Sequence, residues 1–206
     1  MIVIVDYGLG NLASVKNMIK KVGGRSIISS DPDEISSAEK LVLPGVGSFG
    51  TGMANIKERG IDEALKIAVV ENKAPLLGIC LGAQLLTRHS EEQDTTGLGF
   101  IPAQTRRFRF EDSHFKVPHM GWNHVNYAYP DHPLVAGIAP QPRYYFVHSY
   151  YMQCDDRANS FCTTNYGGVF DAGIIKDNIV GLQFHPEKSH VFGMHVMKNF
   201  LSWQNQ

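Results

Sequence analysis

Cys80 stands between two glycines, in the run Gly78-Ile79-Cys80-Leu81-Gly82, at the end of an apolar stretch. The pattern parallels G-x-S-x-G, in which a nucleophile sits on a sharp strand-to-helix turn and projects over the sheet. Glycines at such a turn leave room for neighbouring backbone. A helix starting at Leu81 would aim N–H groups and the positive end of its dipole at the sulfur, which favours the reactive thiolate. An isolated cysteine is more often inert core; the flanking glycines and the strand–helix context favour the nucleophile. A thiol nucleophile needs a base, and the base needs an orienting group. Segment 181–189, GLQFHPEKS, supplies both types: His185 and Glu187 straddle Pro186, whose ring pins the backbone. The third piece is LPGVGSFG, 43–50, where Gly45 and Gly47 follow an apolar run. Such a loop can turn N–H groups toward a developing oxyanion, each worth about 3 kcal/mol in the transition state. It lacks the Lys-Ser/Thr ending of a phosphate-binding P-loop. The turn DYGLGN, 6–11, lacks the third glycine of a dinucleotide fingerprint.

The elements that must position these groups read from the apolar pattern. IVIVD (2–6), RSIISS (25–30), KLVLPG (40–45) and APLLGI (74–79) read as buried strands. Helical spacing is expected over 11–23, 51–58, 61–71 and 81–91. Strand and helix in alternation imply a parallel sheet covered on both faces. After Gly97 the rhythm becomes strand-rich, with candidate strands at 105–110, 124–127, 143–152, 160–166, 169–176 and 179–184, and a last helix near 191–203. The expected fold class is α/β: a mostly parallel central sheet flanked by helices, with an additional antiparallel, strand-rich C-terminal half, in one domain over 1–206.

Composition bounds the function. The 206 residues are 43% hydrophobic and 19% charged with a formal net charge of −1, which suits a soluble globular chain and not a general nucleic-acid binder. No run of eighteen apolar residues suggests a membrane span, and MIVIVDYG reads as a strand, not a signal peptide. Three cysteines, Cys80, Cys154 and Cys162, suggest a reducing cytoplasm without a disulfide framework, although a Cys154–Cys162 pair stays open. His185, His190 and His195 are spaced by five, not by the three or four of helical ligands, so neither a metal nor another cofactor is expected. On a strand, Arg107 and Arg109 share one face and Phe108 and Phe110 the other. The aromatics of 143–152 read as strand residues facing a core or a subunit interface. Positions 89–92 read as a solvated helix end.

Taken together, DYGLGNLASV (6–15), LPGVGSFG (43–50), GICLGAQLL (78–86), PHMGWN (118–123), YYFVHSYY (144–151) and QFHPEKS (183–189) resemble the class I, triad-type glutamine amidotransferases over essentially the whole chain. Within them the chain is most similar to the glutaminase subunits of imidazole glycerol phosphate synthase. The resemblance implies that Cys80 attacks the glutamine side-chain amide, that His185 is general base and then acid, and that Glu187 orients it. It implies oxyanion and glutamine contacts from Gly45, Gly47, Leu81, Gln84, His148, Ser149 and Tyr150. It also implies a heterodimer with a (β/α)8-barrel cyclase subunit that receives the ammonia, with Tyr7, Asn11, Trp122, Asn123, Tyr145 and Lys188 at or near the interface. Ala83 departs from the methionine the family often carries. A related branch that amidates a surface-polysaccharide sugar resembles PEKSHVFGM and TRRFRF as well, and fold and site alone do not separate the two. A cysteine hydrolase or a non-catalytic binding subunit on a similar sheet are the rivals of another class; a scaffold has no use for all three of Cys80, His185 and Glu187.

Overall fold

Short β-branched runs ending in glycine or proline form the interior strands, and amphipathic segments between them supply the cover. The computed structural model describes residues 1–204; positions 205 and 206 of the expected domain lie outside the described residues. The first half runs β1 (Ile2–Val5), α1 (Leu12–Lys21), β2 (Ser26–Ser29), α2 (Pro32–Ser36), β3 (Leu41–Gly45), α3 (Phe49–Glu58), α4 (Ile61–Lys66), β4 (Leu76–Cys80) and α5 (Leu81–Leu85). Asn11, Asp31 and Ser48 begin α1, α2 and α3 by accepting the N–H of Ser14, Asp33 and Thr51 on their side chains. The second half is β5 (His89–Ser90), β6 (Thr95–Thr96), β7 (Ala103–Arg107), β8 (His119–His124), β9 (Asn126–Tyr127), β10 (Arg143–His148), β11 (Tyr150–Cys154), β12 (Ser160–Asn165), β13 (Val169–Lys176), β14 (Ile179–Leu182) and α6 (His190–Ser202).

One sheet follows the order β2-β1-β3-β4-β14-β13-β11-β7-β5-β6, with β12 on β13 and β9 on β12. From β2 to β14 neighbours are parallel. Beyond β14, the pairs β14–β13, β13–β11 and β11–β7 are antiparallel. This is the mixed α/β architecture expected. The period-two geometry of a strand sends β1 to both faces: Val3 and Val5 join the core with Phe49, Ile56 and Leu85, while Ile2 and Ile4 join that with Ile19, Phe184 and Phe200. Apart from the sheet, β8 and β10 pair as an antiparallel ribbon, Trp122 opposite Tyr145 and His119 opposite His148. No helix among the described residues is long and apolar enough to cross a membrane.

Five expectations change. The helix expected over 81–91 stops at Leu85, because the Arg88 and Glu91 N–H groups donate to the Ala103 and Thr105 carbonyls, each at 2.9 Å. Positions 89–92 are therefore not a solvated helix end: His89 and Ser90 form β5, and Ser90 is buried. The run 143–152 is two strands in different sheets, broken at Ser149. The segment 124–127 is divided between β8 and β9. The strand expected over 105–110 ends at Arg107, where Phe108 turns into an aromatic cluster, 4.8 Å from Tyr151 and 5.3 Å from Phe110 by ring centroids. All three cysteines are free.

Buried Asn178 locks the start of β14 against β4. Its side chain donates to the carbonyls of Val69 at 2.9 Å and Ala74 at 2.7 Å, while its own carbonyl takes the Leu76 N–H at 3.0 Å. Asn178→Ala strands two carbonyls, and urea unfolding is expected to show a loss of about 2–3 kcal/mol.

Candidate active site

Cys80 ends β4 with φ 53° and ψ −112°, a left-handed backbone that a non-glycine residue holds only under strain. The surroundings enforce it. A Cβ at Gly82 would overlap the Leu43 carbonyl, and one at Gly78 would sit 2.9 Å from the Ala83 Cα. Two glycines thus let the elbow close on β3 and on its own helix. Parallel pairing then delivers the base: Leu182 lies opposite Ile79, and the chain leaves β14 toward His185 beside the elbow. The His185 backbone is stapled to β10. Its N–H donates to the Tyr145 carbonyl at 3.0 Å, and Ser189 Oγ donates to the His185 carbonyl while accepting the Tyr145 N–H at 3.0 Å.

His185 Nδ1 and Glu187 Oε1 are 2.7 Å apart, with side chains 2% and 3% exposed. Among the described residues neither His185 Nε2 nor Glu187 Oε2 has a further hydrogen-bond partner. Burial opposes the imidazolium, but the Cys80 thiol at one end and the Glu187 carboxylate at the other outweigh it and raise His185 to about 9. Buried Gln183 was not expected in the site. Its Nε2 points at the Cys80 sulfur from 3.8 Å, and its Oε1 accepts from Gln84 Nε2 at 2.9 Å. A polar residue closing the apolar strand IVGL was the available signal.

A cleft of about 360 Å³ opens on Cys80. Gly47, Leu81, Gln84, His148, Ser149 and Tyr150 all line it. Gly45 does not: it ends β3 opposite Cys80, behind the wall. Glu92 lines the cleft too, held by the Phe49 N–H at 2.8 Å. The expected helix end at 89–92 concealed it. A larger hollow of about 590 Å³, between Tyr129, His132 and Lys176, contains none of these groups.

The residues expected at an interface divide. Trp122 is 42% exposed, stacks on His190 with ring centroids 5.3 Å apart, and meets Tyr145 edge-on; Lys188 Nζ lies 5.8 Å above the Tyr145 ring. Asn123 adjoins this patch, half-buried, with its amide donated to the Asn165 carbonyl at 2.9 Å. Asn11 is exposed and caps α1. Tyr7 is a correction: it is wholly buried, with its hydroxyl unpartnered and packed where a Gly45 side chain would otherwise be. Burial, assisted by nearby Cys80, pushes its phenol far above the ordinary range. Among the described residues no group of three or more His, Cys, Asp or Glu side chains could hold a metal ion.

A strained cysteine at the tip of a parallel strand, with a histidine–glutamate pair on the turn beyond the neighbouring strand, is the arrangement of an amide-transferring thiol enzyme. The profile of the family "Glutamine amidotransferase class-I" matches residues 3–203, and the chain belongs to that family. It is 53% identical over 201 residues to a Methanococcus maripaludis protein called imidazole glycerol phosphate synthase subunit HisH 2, covering 98% of each chain. It is 48% identical to a protein of the same name from Pseudomonas aeruginosa, again over 98% of both, and 46% identical to subunit HisH of Sulfurimonas denitrificans over 100% of this chain and 99% of that one. Among solved structures, PurLQS from Thermotoga maritima shares the fold with a TM-score of 0.77 at 19% identity, over 98% of this chain and 97% of that one.

Because His185 is raised from 6.5 to about 9, its charged form stabilises the fold below about pH 6.5, and that contribution fades as pH climbs through about 9. Glu187→Gln removes one of the groups that raise it. The stability gap between wild type and variant, read by urea unfolding at fixed pH values, is expected to be widest just below about pH 6.5, to narrow through neutrality and to be lost as pH passes about 9.

Proposed function

We propose that this chain is the glutaminase subunit of an imidazole glycerol phosphate synthase, acting over 1–206 as one domain in the cytoplasm and feeding ammonia to a (β/α)8-barrel cyclase subunit in histidine biosynthesis. The observation that carries the chemistry is the 2.7 Å His185–Glu187 pair beside the strained Cys80. His185 Nε2 takes the thiol proton as Cys80 sulfur attacks the side-chain amide carbon of glutamine, forming a C–S bond while the carbonyl π pair moves to oxygen as a tetrahedral oxyanion. The Leu81 N–H and the Gly47 loop face that oxygen. His185 Nε2, free of any other protein partner, gives its proton to the departing nitrogen, and ammonia leaves. The thioester is then attacked by water, whose proton His185 takes, and glutamate is released. Glu187 fixes the far nitrogen throughout. Glu92 provides a carboxylate in the cleft for the α-ammonium of the substrate, and Gln84, with its amide nitrogen already committed to Tyr150 and Gln183, offers its carbonyl oxygen.

The patch of exposed Trp122 and Lys188 around half-buried Tyr145 supports a docking face for the barrel. Asn11 and Asn123 extend it. Tyr145 joins that face to the His185 backbone directly, its carbonyl accepting the His185 N–H, and through Ser189 Oγ, which accepts the Tyr145 N–H and donates to the His185 carbonyl, so docking bears on the base. A second reading rests on PEKSHVFGM (186–194) and TRRFRF (105–110), which resemble a related branch whose ammonia amidates a surface-polysaccharide sugar.

Cys80→Ser is expected to lower glutamate release by about a thousandfold or more in the presence of the barrel subunit and its ligand. Undiminished turnover removes the mechanism. Rescue of a histidine auxotroph that lacks its own glutaminase subunit supports the histidine pathway; failure of rescue by a chain that retains glutaminase activity supports the second acceptor.

A further inference from the structure

In the β8–β10 ribbon His119 and His148 stand directly opposite each other, 3% and 6% exposed. His119 Nδ1 is 2.9 Å from His148 Nε2, and His148 Nδ1 is 2.7 Å from the Tyr150 carbonyl oxygen. A carbonyl only accepts, so His148 carries a proton on Nδ1. Burial keeps both rings uncharged, drawing His148 down to about 3 and His119 down to about 4. A neutral His148 therefore presents a lone pair at Nε2, and His119 donates to it from Nδ1. That leaves His119 Nε2 as an acceptor, 3.5 Å from the Asn123 amide nitrogen. Every proton in the series has one place. The rings are also clamped: His119 stacks between Tyr166 and Phe146, with centroids at 4.1 and 4.9 Å.

The series ends at the Tyr150 carbonyl, which also accepts Gln84 Nε2 at 3.0 Å. Gln84 reaches Gln183, and Gln183 reaches the Cys80 sulfur. We propose that the neutral His119–His148 pair positions the Tyr150 carbonyl and, through it, the Gln84 side chain for holding glutamine. The proposal rests on the cleft being the glutamine site. His119 and His148 are positioning residues here: the pair acts through a backbone carbonyl and transfers no proton in the reaction.

The test uses the full chain and 6-diazo-5-oxo-L-norleucine, a glutamine-like electrophile that labels the active-site thiol, followed by intact mass. The half-saturating concentration of the probe reports holding, and the maximal labelling rate reports thiol reactivity. His119→Phe keeps the stacking and loses the donor. It is expected to raise the half-saturating concentration about tenfold while changing the maximal rate by less than about twofold. His119→Asn, whose amide can donate to His148 Nε2, is expected to recover most of that loss. Histidine-directed nitrogen NMR of the wild-type chain at neutral pH is expected to show Nδ1–H tautomers at both positions, a readout independent of any variant's folding. A wild-type half-saturating concentration in well-folded His119→Phe, an asparagine no better than phenylalanine, or an Nε2–H tautomer at His148 overturns the pair's role while leaving the reading of Cys80 intact. Labelling of Cys80→Ser at the wild-type rate overturns that reading and this one with it.

Discussion

Parallel pairing of β14 with β4 is the constraint from which the site follows. The two strands lie far apart in the sequence, Leu76–Cys80 and Ile179–Leu182, and they meet in one register, Gly181 beside Gly78 and Leu182 beside Ile79. Side chains alternate along a strand, so a slip of one residue would send Leu182 and Gln183 to the wrong faces. With the register fixed, both strands end at one level, the elbow on one and the His-Pro-Glu turn beyond the other. β14 is also where the sheet changes from parallel to antiparallel, since its second edge takes β13. The helix-covered half and the strand-rich half are thus joined at the strand that leads to the base.

Electrostatics around the cleft depend on partners more than on depth. His185, His148 and His119 are all at least nine-tenths buried. His185 alone has an anionic group on one nitrogen and a thiol at the other, and it is raised. His148 faces a carbonyl and a second neutral ring, and it is lowered. Burial penalises charge in all of them, and only an acidic neighbour reverses the outcome. The same side chain is thereby held charged on one wall and neutral on the next.

Much of the parallel half was legible in the sequence because fully buried strands leave continuous apolar runs; IVIV, LVLPG and LLGIC stand out without alignment. The elbow was legible because its glycines are demanded by backbone contacts that tolerate nothing larger. The ribbon was harder. In HMGWNH the outward positions hold Met120 and Trp122, both exposed, so the usual inside–outside pattern is reversed. The break at Ser149 carried no glycine or proline to mark it. Glu92 and His119 took their places through contacts distant in sequence, to the Phe49 N–H and to His148, which spacing cannot reveal.

The phenol of Tyr7 lies under the end of β3, in the space that the missing side chain of Gly45 leaves. Volume at the two positions is therefore shared. Any enlargement at 45 requires a smaller residue at 7, and a smaller residue at 7 opens a hollow beneath the segment that leads to the cleft wall at Gly47. Among related chains these two positions should drift as a couple, and a lineage that trims one without the other trades a firm floor for a soft one.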